Sequence, residues 1–249
     1  MKPSELLFEL SHPTRLEIFR LLENPMRMTK VAEQVKANAP EVSRHLDRLR
    51  AAGLVERVPD GSYRVSLVGR LVLGLLPSLE FLADHWDYFH EHDLSRLPPT
   101  FLARLGDLKH CTRSEGLYCN LEAGSEVLES AETRFTAVAD ELPPDSFHVV
   151  SELRRRVPRG LTLRVIVEEG VEPPKGLELG ELAYFRVVPK LPAVLCVSDT
   201  GACLGFPEKK GRMDPMVGFS SRDEHFVRWC ADLAEFLWNR GAYVKVSKA

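Results

Sequence analysis

Apolar residues recur at helical spacing three times near the start of the chain. They predict a helix from Pro13 to about Glu23, a short helix capped by Thr29 that ends near Lys36, and a third helix from Asn38 to Gly53. The inner faces of these helices consist of Leu16, Phe19, Leu22, Val31, Ala32, Val35, Val42, Leu46 and Leu49. Each helix therefore has one face for a common core and one face for solvent or a partner.

The third helix has the most distinctive outward face. Asn38 and Glu41 form the spacing of a capping box, and Gly53 stands where a helix-terminating glycine is expected. The outward arc of the helical wheel consists of Pro40, Ser43, Arg44, Asp47 and Arg48. Two β-like runs, 54–58 and 62–66, follow at once and are joined through Asp60-Gly61, a strong hairpin signal.

Three short helices followed by a two-stranded wing predict a winged helix-turn-helix. The stretches "HPTRLEIFRLL" and "EVSRHLDRLRAAGLVERVPDGSYRV" resemble the helix-turn-helix of ArsR-like repressors over about residues 5–66. This resemblance implies a DNA-binding domain, which we place at residues 1–66.

From Leu67 the apolar residues are separated by alternating steps of four and three, as in a coiled-coil seam. The predicted seam consists of Val68, Val72, Leu75, Leu79, Leu82, Trp86 and Phe89. We expect a long connecting helix within residues 67–100, kinked or divided at Pro77, that joins two copies in a homodimer. The alternative is that this face packs on its own domain.

The rest of the chain alternates between strand-like and helical runs. Helices are predicted over 125–142, 153–157 and at the end of the chain, where Ser221 with Glu224 makes a capping box. Strands are predicted over 146–151, 161–167, 184–188, 193–198 and 202–206. This pattern indicates an α/β domain over residues 101–249, with a central sheet flanked by helices.

The second half resembles the effector domain of archaeal regulators typified by the methanogenesis regulatory protein of filament-forming methanogens. The stretches that carry this resemblance are "GLTLRVIVEEG", "FRVVPKLPAVLCVSDTGACLGFP" and "SRDEHFVRWCADLAEFLWNRG". The resemblance implies a sandwich-like α/β domain similar to a catalytically inactive phospholipase-D-like half. A ligand or signal at this domain would then modulate the DNA affinity of the chain.

The charge distribution agrees with a DNA-binding N-terminus. Although the net charge is −3, residues 1–70 hold 12 basic and 9 acidic residues, and the remainder holds 21 basic and 27 acidic residues. The best candidate for a membrane span, 67–86, contains Arg70, Pro77, Glu80 and Asp84, which argues against such a span. We therefore expect a cytoplasmic protein without a cofactor.

The predicted contacts with double-stranded DNA lie on the second helix, the third helix and the wing. They are Thr29, Lys30, Pro40, Ser43, Arg44, His45, Arg48, Arg57, Gly61, Ser62 and Arg64. Ser43 and Arg44 lie near the start of the third helix and are the expected base readers, because the guanidinium can donate two parallel hydrogen bonds to guanine. Arg48, Thr29 and Lys30 are expected at phosphates, and His45 is as compatible with packing as with base contact.

Three other functions stay open at this point. A phospholipase-D-like enzyme needs a histidine and a lysine where this chain has Pro192 and Val194, so we predict a non-enzyme with a ligand site marked by Ser151, Pro192, Val194 and Asp199. A metal-responsive repressor would use His85, His90, His92, Asp93, His110, Cys111 and Cys119, but their spacing does not converge on a tetrahedral site and we predict no metal. A redox disulfide between Cys196 and Cys203 is the third alternative, although packing on alternate faces of their hairpin is favoured.

Overall fold

The computed structural model describes residues 1–142, 148–171 and 183–244. The chain divides into two compact units, Met1–Pro77 and Ser78–Ala249. The predicted functional parts, 1–66, 67–100 and 101–249, do not coincide with these units. Phe81, Tyr88 and Leu97 belong to the core of the second unit, so residues 78–100 are more than a linker.

The first unit consists of helices and one hairpin. The helices are α1 (Pro3–Leu10), α2 (Pro13–Leu21), α3 (Met28–Val35), α4 (Ala39–Ala51) and the start of α5 (Leu67–Asp84), and the hairpin pairs β1 (Val55–Arg57) with β2 (Tyr63–Val65). Its core contains Ile18, Phe19, Leu22, Val31, Val42, Leu46, Leu49, Leu54, Val55 and Val65. The predicted winged helix-turn-helix is confirmed, because α2, α3, α4 and the hairpin share one apolar core.

Two local signals worked as predicted in this unit. The side chain of Asn38 accepts a hydrogen bond from the Glu41 amide at 3.0 Å and so caps α4. Gly53 has φ +73° and Gly61 has φ +85°, left-handed conformations that favour glycine. One signal did not, because Arg27 and not Thr29 is the N-cap residue of α3.

The connecting helix is divided, but not at the predicted residue. α5 runs through Pro77 to Asp84, and α6 (Trp86–Glu91) follows after His85. The predicted seam is wrong in part: Val72 packs against the first core, and Leu82 and Phe89 pack against the second. The large apolar residues of this segment that are exposed are Leu67, Val68, Leu71, Leu75, Leu79 and Trp86.

The second unit is an α/β fold around a mixed sheet. Its further helices are α7 (Pro99–Leu102), α8 (Leu117–Ser130), α9 (His148–Arg156) and α10 (Glu224–Arg240). Its strands are β3 (Thr112–Glu115), β4 (Arg134–Ala139), β5 (Thr162–Glu168), β6 (Ala183–Val188), β7 (Val194–Ser198), β8 (Ala202–Gly205), β9 (Val217–Ser221) and β10 (Ala242–Val244). Their order in the sheet is β10-β6-β5-β4-β7-β8-β9-β3.

Helices cover both faces of this sheet. β4, β5 and β6 are parallel, and the other neighbouring strands are antiparallel. In β5, Leu163 and Val165 belong to the cluster shared with α8 and α9, whereas Ile166 belongs to the cluster shared with α10. This burial on two sides explains the continuous apolar run that predicted the strand.

Three predictions in the second half are wrong. The helix predicted over 125–142 ends at Ser130, and β4 enters the middle of the sheet between β5 and β7. The strand predicted over 146–151 belongs to α9 from His148 onward, and its first two residues lie outside the described part of the chain. The N-cap of α10 is Asp223, whose carboxylate accepts from the amides of His225 and Phe226, in place of the predicted Ser221.

Candidate nucleic-acid interface

Helix α4 is anchored through its apolar face. Val42, Leu46 and Leu49 are completely buried in the core of the first unit. Because these residues fix the rotation of the helix, the side chains of Pro40 and Arg44 are held on the opposite, exposed face. Ser43 lies beside them and is partly exposed. The predicted outward arc of α4 is therefore exposed in its first two turns.

Arg44 is the free cation of this face. Its side chain is exposed, and among the residues that the structure describes it has no ion-pair or hydrogen-bond partner. Arg50, on the last turn of the same helix, instead donates to the carboxylate of Asp47 at 3.3 Å. A free, exposed guanidinium keeps all its donors available for a planar acceptor such as a guanine edge.

Arg48 is bound within the first unit. Its guanidinium donates two hydrogen bonds to the carboxylate of Glu9 on α1, at 2.7 and 3.0 Å, and lies 5.2 Å from the centroid of the Phe8 ring. The hydrogen bond from Arg48 lowers the pKa of Glu9 from its usual value. The carboxylate of Glu9 offsets the charge and takes two of the donors that Arg48 could offer a phosphate, which the sequence did not indicate.

His45 does not lie on the exposed face. Its side chain is 8% exposed, its ring lies 4.5 Å from the ring of His12, and neither ring nitrogen has a hydrogen-bond partner among the described residues. Burial, together with the positive charges of His12 and Arg15, lowers the pKa of His45. The expectation that His45 contacts bases is corrected, because α4 turns this ring toward α2.

The N-terminus of α3 is a second exposed cationic position. Thr29 and Lys30 lie in its first turn and are exposed, and Arg27 provides no side-chain hydrogen bond as the N-cap residue. Among the described residues, no side chain accepts a hydrogen bond from the first amides of this helix. Unpaired helix-start amides next to a lysine are a favourable arrangement for a phosphate.

The wing presents two arginines in different states. Arg57 is exposed and lies 5.9 Å from the centroid of Tyr63, whereas Arg64 donates to Glu56 on the paired strand at 2.7 Å. Ser62 is buried, and its hydroxyl and amide donate to the carboxylate of Asp60, which lowers the pKa of Asp60. The predicted contact by Ser62 is therefore corrected, because Ser62 shapes the turn around Gly61.

Sequence analysis missed the buried arginine that supports this surface. Arg15 on α2 is 3% exposed and donates to the backbone carbonyls of Phe8 and Glu9, so α1 is tied to α2. Its position three residues before Ile18 and four before Phe19 places a cation on the apolar side of α2. A charged residue on the apolar side of a helix is a signal that sequence analysis could have used. The partners of Arg15 lie on α1, however, and the apolar spacing did not predict that helix.

The predicted ligand residues of the second unit are not brought together. Asp199 accepts hydrogen bonds from the amides of Glu132, Thr133 and Arg134 at 2.9–3.3 Å. Burial opposes its charge, but these amide donors keep its pKa below the usual value. Asp199 therefore ties the hairpin to the start of β4. Asp199 also lies far from Val194, because five residues of extended chain span about 16 Å.

The other two predicted ligand residues are also engaged elsewhere. Pro192 is buried at the start of the segment that leads into β7. Ser151 lies on α9, where its hydroxyl donates to the carbonyl of His148 at 2.7 Å. The four residues therefore do not define one site.

The histidines near α6 have separate surroundings. The two ring nitrogens of His92 lie 2.7 Å from the Tyr88 carbonyl and 2.9 Å from the Asp214 carboxylate, and this pair is buried. His85 faces Cys111 at 3.9 Å, and the exposed ring of His90 packs edge-to-face on Trp86. Within the described ranges, no group of three or more acidic, histidine or cysteine side chains is placed to hold a metal ion.

A membrane-spanning helix is not found in the described part of the chain, since none is both long and apolar enough.

The comparisons with known proteins match the N-terminal part of the chain to one domain model. Residues 10–58 match the model of a helix-turn-helix domain. No curated protein matches the chain. TrmBL2, an archaeal chromatin protein described with a novel mode of DNA binding, is 12% identical, with a TM-score of 0.45 over 98% of this chain and 100% of that one.

Two further solved structures are similar in part. NucT from Helicobacter pylori is 11% identical, with a TM-score of 0.42 over 54% of this chain and 98% of its own. Polyphosphate kinase from Porphyromonas gingivalis is 10% identical, with a TM-score of 0.32 over 48% of this chain and 20% of its own. All these TM-scores lie below 0.5, so none of the similarities carries an argument about function. Residues 10–58 of this chain are a helix-turn-helix domain.

Proposed function

We propose that this chain is a sequence-specific, homodimeric transcription regulator that binds double-stranded DNA through α4 and the wing. The observation that carries the proposal is the free, exposed guanidinium of Arg44 on a helix whose other face is locked into a helix-turn-helix core. Arg44 and Ser43 read base edges, with Pro40 beside them, and Thr29 and Lys30 hold phosphates. Arg57, Arg64 and Gly61 place the wing on the adjacent backbone.

The base-reading role of Arg44 can be tested against a matched arginine on the same helix. Arg44→Ala removes a bidentate base contact worth about 1–3 kcal/mol, so affinity for the selected operator should fall roughly 5- to 150-fold, and more than affinity for random DNA. Arg50→Ala is the control, because it removes the same charge from the last turn of α4, where Arg50 is paired with Asp47. Fluorescence anisotropy with operator and random duplexes measures both.

Lys30 separates phosphate contact from base reading. Lys30→Ala should weaken operator and random DNA by the same factor and reduce the slope of log affinity against log salt by about 0.9. If Arg44→Ala also weakens both duplexes equally, Arg44 does not read bases. If the wild-type protein binds no duplex at low salt, the proposed function is wrong.

The homodimer is proposed to form through an apolar stripe on α5, consisting of Leu67, Val68, Leu71 and Leu75. These side chains are 58–70% exposed, and Leu67, Leu71 and Leu75 follow each other at intervals of four residues on one side of the helix. Water contact of so much continuous apolar surface is unfavourable, and a second copy would remove it. Paired winged helices also contact two half-sites, which raises affinity.

Sedimentation of a charge variant tests the dimer. Leu71→Glu places a carboxylate in the stripe and should convert the dimer to a monomer. Tyr118→Glu is the control, because Tyr118 is an exposed aromatic residue of the second unit. A monomeric wild type, or a Leu71→Glu variant that stays dimeric, would contradict the proposed stripe.

We also propose that the second unit is a regulatory rather than a catalytic domain. The phospholipase-D-like pattern would need an imidazole and an ammonium where the chain has Pro192 and Val194, and Asp199 already binds three backbone amides. An effector that binds this domain would modulate DNA affinity because binding at one site is thermodynamically coupled to binding at the other. Absence of phosphodiester hydrolysis in the wild-type protein is the expected result.

A further inference from the structure

Two thiols face each other in the antiparallel sheet of the second unit. Cys196 on β7 and Cys203 on β8 are directly opposite in the strand register. Side chains that are directly opposite lie on the same face of a sheet. The expectation that these cysteines pack on alternate faces is therefore corrected, and both lie on the face covered by α8.

The backbone spacing of this pair suits a disulfide bond. The amide of Ser198 donates to the carbonyl of Gly201 at 2.9 Å, which makes the pair two positions along, Cys196 and Cys203, a hydrogen-bonded pair as well. Such pairs have Cα atoms about 5.5 Å apart, within the usual disulfide range of about 4.4–6.8 Å. Cβ atoms of opposite residues lie about 4.5–5.5 Å apart, so an approach of about an ångström brings the sulfur atoms into bonding distance.

Both thiols can be reached by a small molecule. They are partly exposed and line a cavity of about 210 Å³ bounded by α8, β4, β7, β8 and β9. Gly124 of α8 lies above the pair, and a Cβ atom at this position would be 4.0 Å from each sulfur. Because glycine has no side chain, the space next to both sulfur atoms stays open.

We propose that Cys196 and Cys203 are a reversible redox site that a small neutral peroxide oxidises to an intramolecular disulfide. The cavity wall selects this class of oxidant. Among its described lining residues there is no cation, and two of them, Asp140 and Asp214, are acidic. Without a cation among these residues, the cavity has nothing that would attract an anionic tripeptide disulfide.

The reaction proceeds in two displacements. The thiolate of one cysteine of the pair attacks one peroxide oxygen, the O–O bond breaks, and the leaving hydroxide takes up a proton to become water; the attacked cysteine is now a sulfenic acid. The sulfur of the other cysteine then attacks the sulfenic sulfur, the S–O bond breaks, and a second water leaves with the thiol proton. The two thiols lose two electrons in total, and the peroxide accepts them to become two water molecules.

Either thiol can act as the first nucleophile, because the two lie side by side on the same face of the hairpin and both are partly exposed. Cys230 takes no part, because it is completely buried among the residues packed with α10.

Peptide mapping of the full-length protein after hydrogen peroxide treatment tests the site. The expected product is a peptide pair linked through Cys196 and Cys203, with the mass of two hydrogen atoms lost and restored by dithiothreitol. The exposed Cys119 reports that the oxidant reached the protein. Oxidation of Cys119 without the linked peptides would overturn the proposal.

Two variants and a second oxidant sharpen the result. In Cys196→Ser, Cys203 should stop at a sulfenic acid that dimedone traps, whereas Cys119→Ser should form the same disulfide as the wild type. Absence of a dimedone adduct on Cys203 in Cys196→Ser, under conditions that oxidise the wild type, would overturn the route through a sulfenic acid. Glutathione disulfide at equal concentration should react more slowly than peroxide, and equal rates would overturn the assigned oxidant.

Discussion

Replacement of Gly69 by alanine tests how closely the start of α5 packs against the wing. A Cβ atom at Gly69 would lie 2.1 Å from the backbone oxygen of Leu54 and 2.6 Å from Cγ1 of Val65. These distances are far below van der Waals contact, and the closest atom belongs to the backbone. Gly69→Ala therefore forces α5 away from the segment that leads into β1.

Gly74 is the matched control on the same helix, since a Cβ atom there would meet nothing within 4 Å. Both substitutions gain helix propensity, up to about 1 kcal/mol. At Gly69 an overpacking cost of about 1–3 kcal/mol opposes this gain. We expect Gly74→Ala to raise the free energy of unfolding of the first unit, and Gly69→Ala to lower it, with a difference of about 1–3 kcal/mol between the variants.

Amide hydrogen exchange of peptides from α4 measures this free energy in the first unit. All three tryptophans, Trp86, Trp229 and Trp238, belong to the second unit, so tryptophan fluorescence during unfolding is an internal control. The unfolding transition seen by tryptophan fluorescence should be the same in both variants as in the wild type. If Gly69→Ala is as stable as Gly74→Ala, the close approach of α5 to Leu54 is wrong.

Three further predictions concern charged groups. The pKa of His45 is lowered in the folded state, so the unfolded chain takes up a proton first as the pH falls below about 6.5. The first unit should therefore lose stability from pH 7 to 5.5. Thermal unfolding measures this loss, and His45→Leu should remove it. Glu9→Gln should release Arg48 and so increase affinity for random DNA. In anisotropy titrations, the slope of log affinity against log salt should become steeper by up to about 0.9. An unchanged slope would show that Arg48 does not reach a phosphate. Asp214→Asn weakens the buried hydrogen bond to His92, so it should destabilise the second unit by about 1–3 kcal/mol. Urea unfolding followed by tryptophan fluorescence measures this change. Stability equal to wild type would contradict the prediction.

The sequence by itself determined the local elements of the first unit. The amide of Asn38, the glycines at 53 and 61 and the apolar spacing along α4 act over four residues or fewer, so the surrounding fold was not needed to interpret them. The same spacing determined which side of α4 is exposed, and hence the exposure of Arg44. The helix-turn-helix and the exposure of its base-reading candidate were therefore predictable.

Tertiary structure decided which polar groups are free. Arg48 and Glu9 are 39 residues apart, and their ion pair forms only because α1 packs beside α4. The segment 134–139 became a strand because it fits between β5 and β7, where the ladder hydrogen bonds and burial on two faces outweigh its helical spacing.

The pairing of Cys196 with Cys203 has the same origin. Their places on either side of the Asp199 turn were evident from the sequence, but a shift of one residue in the register would have placed them on opposite faces. The hydrogen bonds of the hairpin fixed that register. Short-range backbone preferences thus set the helices and turns of this protein, and the registers and ion pairs that join distant segments set the environment of each functional side chain.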